Sequence, residues 1–173
     1  TAKRVAEILQ DRLIGLIDMS LAVKHAHWNV IGPGFISAHE LFDSHVAEIR
    51  AMADEVAERI STLGGIPNGL PGFIVDRRGW DDYAIGRGVV EAHLGALDKV
   101  YDMITEGHRR ALLDVAGDDV VTADLLTGQT RKLELMQWFL RAHLESTSGR
   151  IPTTDEETML DAASAAATSD PLS

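Results

Sequence analysis

The sequence predicts an all-α fold, a four-helix bundle with one long crossover connection that carries a short extra helix. Three observations predict it. Apolar residues recur three and four positions apart in four separate stretches, the spacing that puts them on one face of a helix turning about 100° per residue. Clusters of Gly and Pro fall between the first two of those stretches and after the second. The connection between the second and third, residues 67–87, is long and rich in Gly and Pro, so the third helix can run parallel to the second.

The elements follow in order. Val5, Ile8, Leu9, Leu13, Leu16, Ile17 and Met19 define a first long helix running towards Trp28, and Ile31-Gly32-Pro33-Gly34 breaks it. A second helix is expected to start near Ser37, where Ser37-x-x-Glu40 reads as a capping box, and to end at Leu63-Gly64-Gly65-Ile66-Pro67. The crossover has room for a short helix around residues 80–85. Val90, Leu94, Leu97, Val100, Tyr101 and Ile104 make the third helix, and Val121, Leu125, Leu133, Met136, Leu140 and Leu144 the fourth. Trp138 is expected on the apolar face of that last helix, in the core. There is no internal repeat and no second domain: residues 1–145 form the bundle and residues 146–173 a C-terminal tail.

With 173 residues, 45% of them hydrophobic, the chain can bury a core without covalent staples. It has no cysteine, which excludes disulfides, thiolate zinc sites and thiol redox chemistry and suits a reducing cytosol. The apolar stretch at residues 13–23 follows Lys3, Arg4, Glu7, Asp11 and Arg12 and is interrupted by Asp18. It resembles neither a signal peptide nor a membrane span, so no membrane partner is expected.

Function is signalled by His27, His39, Asp43, Asp54 and Glu58, spaced His-x11-His-x3-Asp-x10-Asp-x3-Glu. Imidazole and carboxylate donors without thiols suit Fe, Mn or Zn. Residues four apart share a helix face, so His39 pairs with Asp43 and Asp54 with Glu58. From Asp43 to Asp54 is about three turns, which puts all four on one stripe of the second helix. At about 1.5 Å per residue, however, His39 and Glu58 are roughly 30 Å apart. A single helix cannot close such a site. A bundle-internal di-iron site needs Glu-x-x-His motifs, and no Glu here has a His three residues later: Glu40, Glu91, Glu106 and Glu134 are followed at that distance by Asp43, Leu94, Arg109 and Gln137. What remains is a site shared with an antiparallel symmetry-related copy.

The run Lys24-His25-Ala26-His27-Trp28-Asn29-Val30-Ile31-Gly32-Pro33, with Phe35, His39-Glu40, Asp43 and Asp54-x3-Glu58-Arg59, resembles the signature of the Dps family of mini-ferritins. Trp138-Phe139 and Ala142-x-Leu144 resemble that family's final helix. The resemblance implies a ferritin-like fold and a hollow homododecamer. It implies a ferroxidase that oxidises Fe2+, preferably with hydrogen peroxide, and stores the ferric product as a mineral. His27, His39 and Asp43 of one subunit, with Asp54 and Glu58 of its two-fold partner, would hold two irons, and zinc in a structural role is the alternative occupant. Trp28 beside them is either an indole that absorbs stray one-electron equivalents or a packed interface aromatic. His25, His45, His93, His108 and His143 stay outside the site.

Charge bears on partners. At −11 per chain, twelve copies would carry on the order of −130, a shell that draws in cations. Asp118, Asp119 and Asp124 open the last helix, where carboxylates also favour the N-terminus. By resemblance, Asp119 and Asp124 line a pore through which iron enters. Family members that bind DNA use basic tails, whereas here only Lys3 and Arg4 precede the first helix. Residues 146–173 hold Arg150 against Asp155, Glu156, Glu157, Asp161 and Asp170. DNA binding is therefore expected to be weak, and the tail is expected to dock on the shell. A cytoplasmic iron store is the favoured reading. A nucleoid-compacting DNA-binding protein with a secondary iron site is the alternative.

Overall fold

The computed structural model describes residues 1–169, and its elements run α1 (Ala2–Asn29), β1 (Val30–Ile31), α2 (Phe35–Thr62), α3 (Pro71–Arg77), β2 (Gly88–Val89), α4 (Val90–Val115), α5 (Val120–Leu144) and α6 (Met159–Thr168). Helices α1 and α2 pack together, as do α4 and α5, and α1 joins the two pairs across α4. Leu9, Leu13, Leu16 and Val23 of α1 meet Phe42, Ile49, Met52 and Val56 of α2 with Leu94, Leu97 and Ile104 of α4 and Leu126, Leu133 and Leu140 of α5. Each such side chain contributes about 1.5–3 kcal/mol on full burial, so the four stripes together hold the bundle. Among the described residues no helix is long and apolar enough to cross a membrane.

Three features differ from expectation at the helix ends and in the crossover. The second helix begins at Phe35 rather than near Ser37, and no side chain caps it. Gly34, at φ 76°, adopts a left-handed conformation that turns the chain directly into the helix, so Ser37 is already inside and the capping box does not form. The short helix occupies residues 71–77, not 80–85. Pro71 stands at its first position, where its fixed φ suits a helix start and its missing N–H costs nothing. Beyond it the chain is pinned in irregular form, because Arg78 and the Trp80 indole both donate to Asp18 at 2.6 Å and the Tyr83 hydroxyl reaches His93. Finally, β1 and β2 form a two-residue parallel pair, with Val30 opposite Gly88 and Ile31 opposite Val89. Periodicity does not reveal a strand of that length.

The end of α2 follows the sequence closely. Gly64, at φ 81°, is left-handed, its N–H bonding the Ser61 carbonyl while Gly65 bonds Ile60, the paired closure of a Schellman motif. Trp138 is a correction. It is 58% exposed, because it lies two residues from both Met136 and Leu140, about 200° around the helix from the positions that face the core.

The tail adds a helix that composition did not suggest. Helix α6 is capped by the Thr158 hydroxyl, which accepts from Asp161 N, and it lies along α4. Asp98 of α4 is fully buried and accepts from Gln137, Arg141 and, at 2.7 Å, from the Thr153 hydroxyl of the tail. The expected docking covers residues 146–173, of which 170–173 lie outside the described residues.

Gly95 is where α6 approaches most closely: a Cβ there would overlap the Ala162 backbone carbonyl and meet the Ala166 methyl at 2.9 Å. Gly95→Ala is expected to destabilise the fold by about 1–3 kcal/mol, the range for forced overpacking. Hydrogen exchange should then show α6 amides losing protection while α1 and α2 keep theirs. Unchanged protection of α6 would contradict the packing described.

Candidate metal centre

The end of α1 and the start of α2 are folded back on one another by residues 30–34, and this sets His27 against His39. His27 Nδ1 lies 2.8 Å from the His39 carbonyl oxygen, and His39 Nδ1 lies 2.9 Å from the His27 carbonyl oxygen. The rings stack with centroids 3.6 Å apart and planes 19° from parallel. A carbonyl only accepts, so each Nδ1 must carry the proton and donate it. Each Nε2 is then left with its lone pair, the tautomer a metal ligand requires, and the partner carbonyl fixes the ring's orientation. His27 is 8% exposed, and Phe35 packs against His39 at 4.9 Å.

Asp43 lies one turn after His39 on α2 and is exposed. Lys24 of α1 reaches across to form an ion pair with it. The hydrogen bond from Lys24 holds the Asp43 carboxyl below its ordinary range, with the positive charge of Lys24 acting the same way. Lys24 is the residue sequence reasoning passed over, although it stands three positions before His27 on the same helix face. Asp54 and Glu58 project from the far half of α2. Both are exposed, and neither makes a hydrogen bond or ion pair among the described residues. Trp28, next to His27, is 70% exposed.

The chain thus brings His27, His39 and Asp43 to one end of α2 and leaves Asp54 and Glu58 at the other. Among the described residues no group of three or more His, Asp and Glu side chains is arranged to hold a metal ion by itself. His25 is turned to the crossover, bonding the Ile85 carbonyl at 3.0 Å, and His45, His93 and His108 are buried in the bundle.

The two carboxylates expected at a pore differ in situation. Asp119 caps α5: its Oδ1 accepts from Val121 N at 3.1 Å and Thr122 N at 3.3 Å. Its Oδ2 accepts from Arg59 at 2.6 Å and from the Thr122 hydroxyl at 2.8 Å. Asp124, one turn into the helix, is exposed.

Residues 6–149 match the family described as Ferritin-like domain. The DNA protection during starvation protein of Mycolicibacterium smegmatis is 49% identical over 150 residues, spanning 87% of this chain and 82% of that protein. The solved structure of Mycobacterium smegmatis Dps superposes with a TM-score of 0.89 at 47% identity, covering 91% of this chain and 90% of the other. DpsA14 from Streptomyces coelicolor superposes with a TM-score of 0.85 at 53% identity, covering 87% and 89%.

Asp119 also yields a pH dependence. The hydrogen bond from Arg59, helped by Thr122, pushes its carboxyl down to about 2 from an ordinary 3.8. A carboxyl whose folded value is lowered stabilises fully above its unfolded value and loses that contribution as pH falls through the folded one. Asp119→Ala is therefore expected to cost about 0.5–2 kcal/mol at neutral pH, the usual worth of an N-cap. The deficit against the parent should shrink as pH falls from about 4 towards 2. Urea unfolding at neutral pH and near the acid end of that window checks this, and an equal deficit at both would disconnect the cap from its ionisation.

Proposed function

Because the chain belongs to the Dps family of ferritin-like proteins, we propose that it is an iron-storage and detoxification mini-ferritin. In this reading it is a ferroxidase that oxidises Fe2+, preferably with hydrogen peroxide, and keeps the ferric product as a mineral within a homododecamer. The observation that carries the proposal is the reciprocal bonding of His27 and His39, which frees both Nε2 lone pairs beside the start of α2, the helix whose far half presents two unpartnered carboxylates. An antiparallel two-fold copy of α2 would set His39 and Asp43 of one subunit opposite Asp54 and Glu58 of the other, and each pair of subunits would hold two such sites.

Fe2+ is the substrate. His27, His39 and Asp43 would hold one ion with positions left open, and the partner's carboxylates would complete the site and bridge to a second. Two Fe2+ give up one electron each to one peroxide, which takes two protons and leaves as two waters. Passing both electrons at one site avoids the hydroxyl radical that a single electron would release. Lys24 keeps Asp43 ionised and oriented before metal arrives. Trp28 would lie within reach of both subunits, as an interface aromatic or as a donor of single electrons. We assign iron admission to Asp119 and Asp124, with Asp124 the more available because Arg59 already offsets the charge of Asp119. Zinc suits the same donors without redox chemistry, and affinity alone does not favour iron over it. A cytoplasmic location belongs to the same reading.

Asp54→Ala with Glu58→Ala is expected to abolish rapid Fe2+ oxidation and leave the helix intact, since alanine is a good helix former. The loss should exceed the roughly 10–100-fold that removing an outer-shell partner costs. Anaerobic Fe2+ loading followed by peroxide measures it, with hydroxyl radical trapped in parallel. Co-assembling that variant with a His27→Ala/His39→Ala chain should restore part of the activity if the site is shared between subunits. Full activity in the carboxylate variant, or no recovery on mixing, would sink the assignment.

DNA is the partner of the second reading, since the Mycolicibacterium smegmatis relative is named for DNA protection. The described tail sets Arg150 against Asp155, Glu156, Glu157 and Asp161, and the chain carries −11. With few cations to release counterions from phosphate, this protein should leave duplex DNA unshifted in a gel at physiological salt. Tight binding that weakens steeply with salt would favour nucleoid compaction.

A further inference from the structure

The chain has two tyrosines, and both sit in the same arrangement. Tyr83 of the crossover places its hydroxyl 2.9 Å from Nδ1 of His93, near the start of α4. Tyr101, in the middle of α4, places its hydroxyl 2.7 Å from Nδ1 of His45 on α2. His93 and His45 are buried, and Nε2 of neither makes a close hydrogen bond. A buried polar atom left without its bond is costly, so a network serving stability alone would pair both nitrogens. Here the close side-chain bond that each histidine makes is the one that faces a phenol, although the backbone of Asn29 and Gly86 also approaches the His93 ring.

Burial holds both phenols far above their ordinary range. While the tyrosines are reduced, the proton therefore stays on oxygen and Nδ1 accepts. Loss of an electron from the ring makes the phenol O–H strongly acidic. Nδ1 is the base already in place to take that proton.

Placement connects the pairs to the site and to the surface. The His25 ring meets Tyr83 edge-on at 5.8 Å, and His25 precedes His27 by two residues on α1. Tyr83 and His93 stack at 6.0 Å. At the second pair, His45 stacks on Phe139 at 6.3 Å, and Phe139 lies 5.3 Å from the exposed Trp138.

We propose that Tyr83 and Tyr101 are one-electron donors that quench oxidising radicals, with His93 and His45 as their built-in proton acceptors. The source of the radical rests on the function proposed above. A site holding a single Fe2+ passes one electron to peroxide, giving Fe3+, hydroxide and a hydroxyl radical. Tyrosine supplies the missing electron through the protein, and the radical takes a proton from solvent to become water. The phenol O–H bond breaks and its proton moves to Nδ1, leaving a neutral phenoxyl radical beside an imidazolium. A later Fe2+ returns the electron, becoming Fe3+, and the proton returns to oxygen.

Two arms test this on the assembled protein, with Tyr83→Phe, Tyr101→Phe and the double variant, which keep the ring volume. In the first, a photogenerated ruthenium(III) tris-bipyridine oxidant replaces iron and peroxide, and electron paramagnetic resonance reads the radical. A tyrosyl signal is expected in the parent, reduced in each single variant and lost in the double, and rising more slowly in deuterium oxide. No tyrosyl signal, or one unslowed by deuterium, overturns the proposal whether or not the chain oxidises iron. In the second arm, substoichiometric Fe2+ is followed by peroxide with a spin trap in solution. The double variant should release more hydroxyl-radical adduct than the parent at an equal rate of iron oxidation, and equal release overturns the quenching role. Absence of iron oxidation in every protein would defeat the ferroxidase reading and leave the first arm to decide the tyrosines.

Discussion

The turn between α1 and α2 is the constraint on which the rest of the molecule depends. Gly32 and Gly34 both have positive φ, at 92° and 76°, where side chains with a Cβ are strained, and together they reverse the chain within a few residues. The reversal makes the His27 and His39 carbonyls available to each other's rings. It also sets the direction of α2, hence the position of Asp43 one turn on and of Asp54 and Glu58 beyond. The parallel pairing of Val30–Ile31 with Gly88–Val89 fastens this turn to the end of the crossover and delivers α4 to its place in the bundle. The His27–His39 pairing and the chain's topology are thus held by the same short segment.

Charge is distributed with a similar economy of partners. Three acidic groups that lie at least partly within the fold are neutralised at close range: Asp119 by Arg59, Asp18 by Arg78, and Asp98 by Arg141. Such pairs repay their desolvation when hydrogen bonds satisfy the remaining lone pairs, as they do at Asp98 and Asp119. Asp54 and Glu58, by contrast, are left open on the outer face of α2. Among the described residues, Arg12 is the partly buried cation that forms no ion pair. Its guanidinium lies against the α4 backbone where Gly107 has no side chain to exclude it, and its Nε has no partner.

Helix α6 shows how a segment of unpromising composition becomes ordered. Its alanines are small enough to lie close on α4 over Gly95, and the Thr153 hydroxyl supplies one of the bonds that the buried Asp98 needs. The tail therefore completes the core's polar network rather than only covering it. That dependence couples the tail to α5 as well, since Gln137 and Arg141 share the same carboxylate.

The sequence by itself determined the helix count of the bundle, the glycine closure of α2, the long crossover and the family. These follow from local rules: apolar spacing, the φ freedom of glycine and the chemistry of side chains at fixed intervals. The proposed ligand set is read from the sequence for the same reason, because four of its members share one helix. Only the tertiary structure decided where the crossover's short helix lies and that Lys24 serves Asp43. It alone decided which ring nitrogens carry protons. Each of these depends on a contact between residues distant in sequence, Trp80 with Asp18 or Tyr101 with His45, and no periodicity along the chain encodes which distant partner a side chain will meet.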